Sequence, residues 1–309
     1  MGWGSPLPPR SCPGANVALL PSLLDSDLVV VTGKGGVGKS TVAAAIGIVA
    51  ARRGLRVVVA EVGGRADTAR LLTGQGVDHL SITPREAMEE YLRDQLPSPL
   101  SELLGRSGTF GAFVEATPGM HELLTVGKVW ELTSDPRRTP DEEPYDLVVL
   151  DAPASGHGLA LLGAPQTFSE AARIGPIHRQ ASIISESLSD PERTAVVVVT
   201  LAEEMPVNET LELRDALLDR LGLDVSLVVV NGLGPDRFSD EEAAQLEALG
   251  EPADSPAGAA LWAHRRARGQ AEQLERLRAG LDAPPLELPL FFAAGPDAGE
   301  LAALVEPAL

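Results

Sequence analysis

The sequence predicts an α/β fold of three layers, in which helices cover both faces of a mostly parallel sheet. Apolar runs of strand length are continuous rather than alternating, as in "DLVVVTG" at 27–33, and this pattern is typical of strands buried on both faces. Helical stretches separate the runs, and the first, "KSTVAAAIGIVAARRG" at 39–54, ends at Gly54. Further strands are expected at 56–62, 145–151, 194–201, 224–231 and 285–291, and further helices at 157–173, 207–221, 239–249 and 257–280.

One segment interrupts this alternation and is expected to form a helical subdomain. It begins at "PREAMEEYLRDQL", where Thr83 is a candidate N-cap for a helix whose first residue is proline. Helical pieces then continue without an intervening strand. We therefore predict an α/β domain at 25–309 with a helical subdomain at about 84–135 and 174–191, preceded by a flexible Pro-rich head at 1–24.

The charge of the chain argues against nucleic acid and lipid surfaces as partners. With 25 basic and 44 acidic residues among 309, the formal net charge is −19, and such a surface repels phosphate backbones and anionic head groups. No apolar run of the sequence reaches the ~20 residues that span a bilayer. Cys12 is the single cysteine, which excludes an intramolecular disulfide and a Cys-x-x-Cys zinc site within the chain. We expect a cytoplasmic protein that binds no nucleic acid and does not insert directly into a membrane.

The stretch "GKGGVGKS" at 33–40 matches the phosphate-loop pattern G-x-x-x-x-G-K-[ST] in full. It lies between a predicted strand and a predicted helix, which is the context of a P-loop NTPase. Backbone N–H groups of such a loop turn towards phosphate oxygens, and the helix N-terminus adds partial positive charge. We expect Lys39 to reach the β- and γ-phosphates, Ser40 to bind Mg²⁺ and Thr41 to reach the α-phosphate. The loop residues expected to bind phosphate through their amides are Gly35, Gly36, Val37 and Gly38.

A second acidic anchor is predicted at Asp151, which ends the apolar strand in "YDLVVLDAP". Its carboxylate would emerge at the carboxyl edge of the sheet, where ligands of parallel α/β folds bind. A strand-end Asp is often only a helix N-cap. Beside an intact phosphate loop we favour a role for Asp151 in holding the metal.

Lys34 follows the first glycine of the loop directly, and the general phosphate-loop pattern does not explain it. The order "KGGxGK[ST]" is typical of a deviant class of phosphate loop, in which two nucleotide sites face each other across a dimer. The lysine of one subunit reaches the phosphates of the other and neutralises charge in trans, much as an arginine finger does. The alternative is a solvated loop lysine. We favour the catalytic role in trans, which predicts a dimer.

Beyond the loop, the chain resembles the ArsA-type ATPases, which include arsenite-pump ATPases and the ATPase that delivers tail-anchored membrane proteins. "DAPASGHGLALLGAP" at 151–165 is similar to switch II of that family, with Gly156 and His157 on its Gly-His pair. "ATPGMHELL" resembles its P-G-x-x-E segment, with Glu122 as the acid. The resemblance spans roughly residues 27–305 in the right order.

The resemblance also implies cofactors and partners. "VVVNGL" is similar to the V-V-N element of the family, which implies that Asn231 contacts adenine. The segments "VTGKGG", "TVGKVWE" and "GPIHRQ" are most similar to the actinobacterial pair of adjacent ArsA-like proteins. ATP and Mg²⁺ are therefore the implied cofactors, and the implied assembly is a homodimer or a heterodimer with a paralogous ATPase.

Three departures from the family pattern narrow the function. Switch I of the family reads D-P-A-x-x-L-x-D, but Glu61 stands in place of its first Asp, in "AEVGGRADTARLL". Glu61 either still orients the attacking water or makes turnover slow. The paired cysteines that bind zinc in some tail-anchor chaperones are missing from the sequence, as are the thiols that would bind arsenite. We therefore expect no zinc and disfavour an arsenite pump.

The implied function is a Mg²⁺-dependent, dimeric ATPase whose ATP-driven closure controls a client or partner, in membrane-protein delivery or transport. Two alternatives stay open. One is a nucleotide-binding subunit that needs a paralogous partner for turnover, and the other is a ParA- or MinD-like spatial regulator, which the acidic C-terminus disfavours. The helical subdomain is where such proteins hold an apolar client, although ordinary helix packing explains its apolar residues equally well. The candidate client residues are Leu100, Leu103, Leu104, Phe110, Phe113, Val114 and Met120.

Overall fold

A seven-stranded sheet, parallel throughout, forms the centre of the computed structural model. The structure describes residues 23–63, 66–95, 116–134, 137, 143–172, 174–291 and 298–309. The strands are β1 (Leu28–Gly33), β2 (Val57–Val62), β3 (Asp78–Ile82), β4 (Leu147–Asp151), β5 (Thr194–Leu201), β6 (Leu227–Leu233) and β7 (Leu286–Pro289). Their order across the sheet is β3-β2-β4-β1-β5-β6-β7, and each neighbouring pair is parallel.

Ten α-helices accompany the strands in the described part of the chain. They are α1 (Lys39–Arg52), α2 (Ala66–Leu72), α3 (Pro84–Gln95), α4 (Met120–Leu132), α5 (Ser155–Ala172), α6 (Pro176–Ser189), α7 (Glu204–Leu221), α8 (Asp240–Ala248), α9 (Pro256–Ala279) and α10 (Ala298–Val305). Each parallel connection passes through at least one helix, as parallel pairing requires.

The side chains of β1, β2, β4 and β5 alternate between two hydrophobic cores, one on each face of the sheet. All six residues of β1 are buried. Val29 and Val31 belong to the core that α1 and α10 cover. Leu28 and Val30 belong to the opposite core, which α4, α5, α6 and α7 cover. Because both faces are covered, the strands read as continuous apolar runs, and the predicted three-layer α/β fold is confirmed.

The edge strand β3 was not among the predicted strands. Its sequence, "DHLSI", is polar at three of five positions, and only Ile82 of the strand is buried. An edge strand pairs on one side and is partly open to solvent, so it lacks the continuous apolar run of a central strand. This omission matters for the site, because β3 carries a histidine that lies beside one of the predicted catalytic residues.

The segment predicted as a helical subdomain contains helices α3, α4 and α6 among its described residues. Val126 and Val129 of α4 and Ile184 of α6 lie in one core with the sheet residues Val58 and Val148. These helices therefore pack directly on the sheet. The boundaries of the subdomain stay a prediction.

Two further expectations fall largely outside the described residues. The client candidates from Leu100 to Val114 lie there, whereas Met120 is partly buried and packs against Met88 and Leu92. The predicted head also lies there up to residue 22, and its last two residues, Leu23 and Leu24, are buried in the core with α1. Among the helices that the structure describes, none is both long and apolar enough to cross a bilayer.

Candidate functional site

The glycine loop joins the carboxyl end of β1 to the first turn of α1, at the middle of the sheet. Gly33 ends β1 with φ 140°, and a Cβ there would lie 2.1 Å from the carbonyl oxygen of Val199 on β5. Gly38 precedes α1 with φ 99°, and a Cβ there would lie 2.3 Å from Nδ2 of Asn231. A larger residue would be strained and would clash at both positions. Gly33 and Gly38 are therefore favoured by their positive φ and by the close approach of β5 and β6.

Lys39 is the first residue of α1 and is 8% exposed. Its Nζ donates a hydrogen bond of 3.0 Å to the carbonyl oxygen of Lys34, so its ammonium lies back over the loop. The N-terminus of α1 contributes partial positive charge at the same place. A buried ammonium beside a helix N-terminus is suited to binding an anion such as a phosphate. Thr41 follows in the first turn of the same helix.

Ser40 and Asp151 meet although 111 positions separate them in the chain. Ser40 Oγ donates a hydrogen bond of 2.5 Å to Asp151 Oδ2. Asp151 ends β4, which pairs with β1, and it is 8% exposed. Hydroxyl and carboxylate oxygens are the ligands that Mg²⁺ prefers in proteins, so the chemistry of the pair fits a Mg²⁺ ion.

Lys34 does not extend freely into solvent but forms an ion pair with Glu209 of α7. Its Nζ lies 2.5 Å from Glu209 Oε1, and the two side chains are 31% and 32% exposed. The contact joins residues 175 positions apart in the chain. Sequence reasoning singled out Lys34 but not Glu209, because nothing local in the sequence marks a contact of this range.

Glu61 is 2% exposed and lies near the carboxyl end of β2. It is paired in register with Asp151 of β4, so the two carboxylates project from the same face of the sheet. Oε2 of Glu61 lies 3.6 Å from Nε2 of His79 on β3. His79 was missed by the sequence analysis together with its strand.

Asn231, predicted to contact adenine, lies against the phosphate loop from β6. Its Nδ2 donates a hydrogen bond of 2.9 Å to the carbonyl oxygen of Val37. Val37 itself is 1% exposed. The amide of Asn231 therefore braces the loop, and its contact with adenine stays a prediction.

The residues of the predicted switch II and of the P-G-x-x-E segment lie beside each other. Gly156, in the first turn of α5, and Glu122, in the first turn of α4, both line a cavity of about 610 Å³. His157 is exposed next to Gly156. Gly158 packs so closely on β1 that a Cβ there would lie 2.6 Å from Oγ1 of Thr32. The start of α5 is thereby fixed to β1, next to the loop.

Comparison with known proteins gives a consistent assignment. The family model of the CobQ/CobB/MinD/ParA nucleotide binding domain matches residues 28–257. ATPase BagA of Mycobacterium tuberculosis (strain ATCC 25618 / H37Rv) is 30% identical over 331 aligned positions, which cover 95% of each chain. ATPase GET3 of Lachancea thermotolerans is 26% identical over 264 positions, 70% of this chain and 73% of that protein.

An arsenical pump-driving ATPase of Escherichia coli is also similar, at 32% identity over 209 positions. The match covers 63% of this chain and only 33% of that protein, so the similarity indicates a shared ATPase region and does not extend over the whole of that protein. With the loop geometry and the family match over most of the chain, these relatives show that the chain belongs to the CobQ/CobB/MinD/ParA nucleotide-binding family and, within it, to the ArsA-like ATPases.

Proposed function

We propose that the chain is a Mg²⁺-dependent ATPase that works as a dimer, with a second copy or a paralogous ATPase, and that ATP-driven closure controls a client or partner. The observation that carries the proposal is that one glycine loop combines two lysines with a pair of oxygen atoms suited to bind Mg²⁺. Lys39 lies over the loop, Lys34 lies at its outer side, and Ser40 contacts Asp151 beside it.

The loop itself would bind the phosphates. The amides from Gly35 to Gly38 and the ammonium of Lys39 would surround the β- and γ-phosphates, and Thr41 would reach the α-phosphate. The hydrogen bond from Asn231 to Val37 supports this role, because it holds the loop in shape from the β6 side.

Ser40 and Asp151 would hold the magnesium ion, and the bound ion would neutralise negative charge on the phosphates. Their hydrogen bond keeps both oxygens oriented towards each other. Glu61, buried on the same sheet face as Asp151, would accept a hydrogen bond from the attacking water and orient it.

Lys34 would act across the dimer interface, and its ion pair with Glu209 supports an exchange of partners. In a single chain the ammonium of Lys34 forms an ion pair with Glu209. In the closed dimer it would leave Glu209 for the phosphates bound by the other subunit. About a third of each side chain is exposed, so solvent already screens the pair and the exchange costs little.

A client surface is proposed on the helical segment. Ile174 just before α6 is 85% exposed and Ile177 in its first turn is 44% exposed, and exposed apolar side chains this close together are candidates for an interaction surface. Closure of the dimer would change the access of an apolar segment of a client to this surface.

The proposal is tested by steady-state ATP hydrolysis of the purified chain with Lys39→Ala. Loss of the buried ammonium is expected to lower kcat/KM by at least about a hundredfold, since a charge that meets the transferred phosphate stabilises the transition state. Arg52→Ala is the matched control, because Arg52 is an exposed cation at the other end of the same helix. Full ATP turnover by Lys39→Ala would refute the assignment of the site.

A second candidate is a nucleotide-binding subunit whose turnover needs a paralogous partner. The presence of Glu61 in place of the first switch I Asp favours it, together with the resemblance to the actinobacterial pair of adjacent ArsA-like proteins. Tight ATP binding with negligible turnover alone would support this candidate, and normal turnover by a homodimer would reject it.

A further inference from the structure

The Glu61 carboxylate lies between a like charge and a group that can carry the opposite charge. On one side, β4 places Asp151 in register with Glu61, and neighbouring strands of a sheet are only about 4.8 Å apart. On the other side, β3 places Ser81 in register with Glu61 and His79 two residues earlier, on the same sheet face. Repulsion by Asp151 and attraction by a protonated His79 would therefore act in the same direction on Glu61.

The contact with His79 matches that direction. Oε2 of Glu61 lies 3.6 Å from Nε2 of His79, which is the range of an ion pair rather than of a hydrogen bond. Within the described part of the chain, Nε2 of His79 has no hydrogen-bond partner. Glu61 is 2% exposed, so its carboxylate needs charged or hydrogen-bonding neighbours, and His79 is one of them.

Three other cations among the described residues line a cavity together with His79, and two of them form ion pairs with carboxylates. The cavity has a volume of about 640 Å³, and its wall includes Lys128 and Arg137. Lys128 lies 2.5 Å from Glu90 and 2.8 Å from Glu131, and Arg137 lies 2.9 Å from Glu131. Lys128 and Arg137 are thus engaged by Glu90 and Glu131. The third cation, Arg93, donates a hydrogen bond to the backbone carbonyl of Glu89.

We propose that His79 is a positioning residue for Glu61: it holds the buried carboxylate in the orientation from which Glu61 acts on the attacking water. The proposal rests on the function proposed above for Glu61. It assigns no contact between His79 and the nucleotide, so His79 acts only through Glu61.

The kinetic test is a double-mutant cycle between the two positions. His79→Ala is expected to lower kcat for ATP about tenfold, equivalent to about 1.4 kcal/mol, with less than about a twofold change in KM. His79→Gln keeps an N–H donor and is expected to recover at least half of the loss. Glu61→Asp shortens the side chain by one methylene and withdraws the carboxylate from His79, so His79→Ala should have less than about a twofold effect in that background.

The control is His121→Ala, because His121 is exposed on α4 and should leave kcat unchanged. An equal effect of His79→Ala in the wild-type and Glu61→Asp backgrounds would overturn the proposal, because His79 would then act independently of Glu61. A rise in KM without a fall in kcat would overturn it as well.

A second readout needs no turnover and so separates this proposal from the proposed function. Ring ¹⁵N signals of His79 can be assigned by their loss in His79→Gln, which also serves if His79→Ala fails to fold. Glu61→Gln removes the charge facing the ring and is expected to shift the signals of His79 but not those of His121. Unchanged His79 signals would overturn the contact itself, even if ATP hydrolysis behaves as proposed.

Discussion

The ion pair between Lys34 and Glu209 gives a quantitative prediction about dimer formation. If Lys34 must leave Glu209 to reach the phosphates of a partner subunit, Glu209 opposes closure by the free energy of that pair. Nζ and Oε1 are 2.5 Å apart, but both side chains are about a third exposed, at 31% and 32%. Pairs of this exposure contribute about 0.5–1 kcal/mol, which corresponds to about a two- to fivefold change in an equilibrium constant.

A homodimer breaks two such pairs on closure, so Glu209→Gln should lower the protein concentration of half-maximal ATP turnover per subunit by about five- to thirtyfold. The maximal turnover at saturating protein should stay the same, because Glu209 has no proposed contact with the nucleotide. The measurement is turnover per subunit over a wide range of protein concentration, at fixed ATP, Mg²⁺ and salt.

The matched control is Glu212→Gln, which removes one negative charge from an exposed position of the same helix. It corrects for the general effect of charge, since a chain with a net charge of −19 repels its own copies. A higher half-maximal concentration for Glu209→Gln, or a lower maximal rate, would refute the reasoning. Glu209 would then hold Lys34 in its working position instead of competing for it.

Two further predictions concern stability and the loop. Burial raises the pKa of Glu131, but hydrogen bonds from Arg137 and Lys128 outweigh it and hold the pKa below its ordinary value. The stabilisation from this depressed pKa is complete above the ordinary carboxyl pKa and is lost as pH falls through the folded value. Glu131→Gln should thus cost about 3–5 kcal/mol in urea unfolding at pH 7, and this cost should shrink progressively as the pH falls below the ordinary carboxyl pKa of 4.5. A cost that stays constant over that range would contradict it. Asn231→Ala removes the hydrogen bond to Val37 and should weaken binding of ATP and of inorganic triphosphate alike, by about threefold to tenfold in calorimetry. A loss confined to ATP would instead indicate that Asn231 acts on adenine.

The fold was predictable wherever the sequence carries its signal locally. Strands such as β1 and β4 are buried on both faces, so their apolar runs identify them. The glycine loop was predictable for the same reason, because the glycines that its conformation favours lie close together in the sequence. β3 was not predictable in this way, since an edge strand with Asp, His and Ser has neither an apolar run nor a clean alternation.

The parts of the site that sequence reasoning missed are those created by tertiary contacts. Glu209 reaches Lys34 from α7, and His79 reaches Glu61 from the edge strand. No local pattern in the sequence marks either contact, and each arises from where the fold places α7 and β3. By contrast, the proximity of Ser40 and Asp151 could be predicted from the sequence, because the carboxyl ends of adjacent parallel strands meet at one edge of the sheet.

The central claim is that two subunits complete one active site through Lys34. It is tested most directly by ATP turnover per subunit of the purified chain alone, measured across protein concentration for the wild type and Lys34→Ala. A site completed in trans by Lys34 predicts a specific rate that rises with concentration and collapses in Lys34→Ala, while ATP binding by the single chain persists. A specific rate that is independent of concentration and unaffected by Lys34→Ala would contradict it.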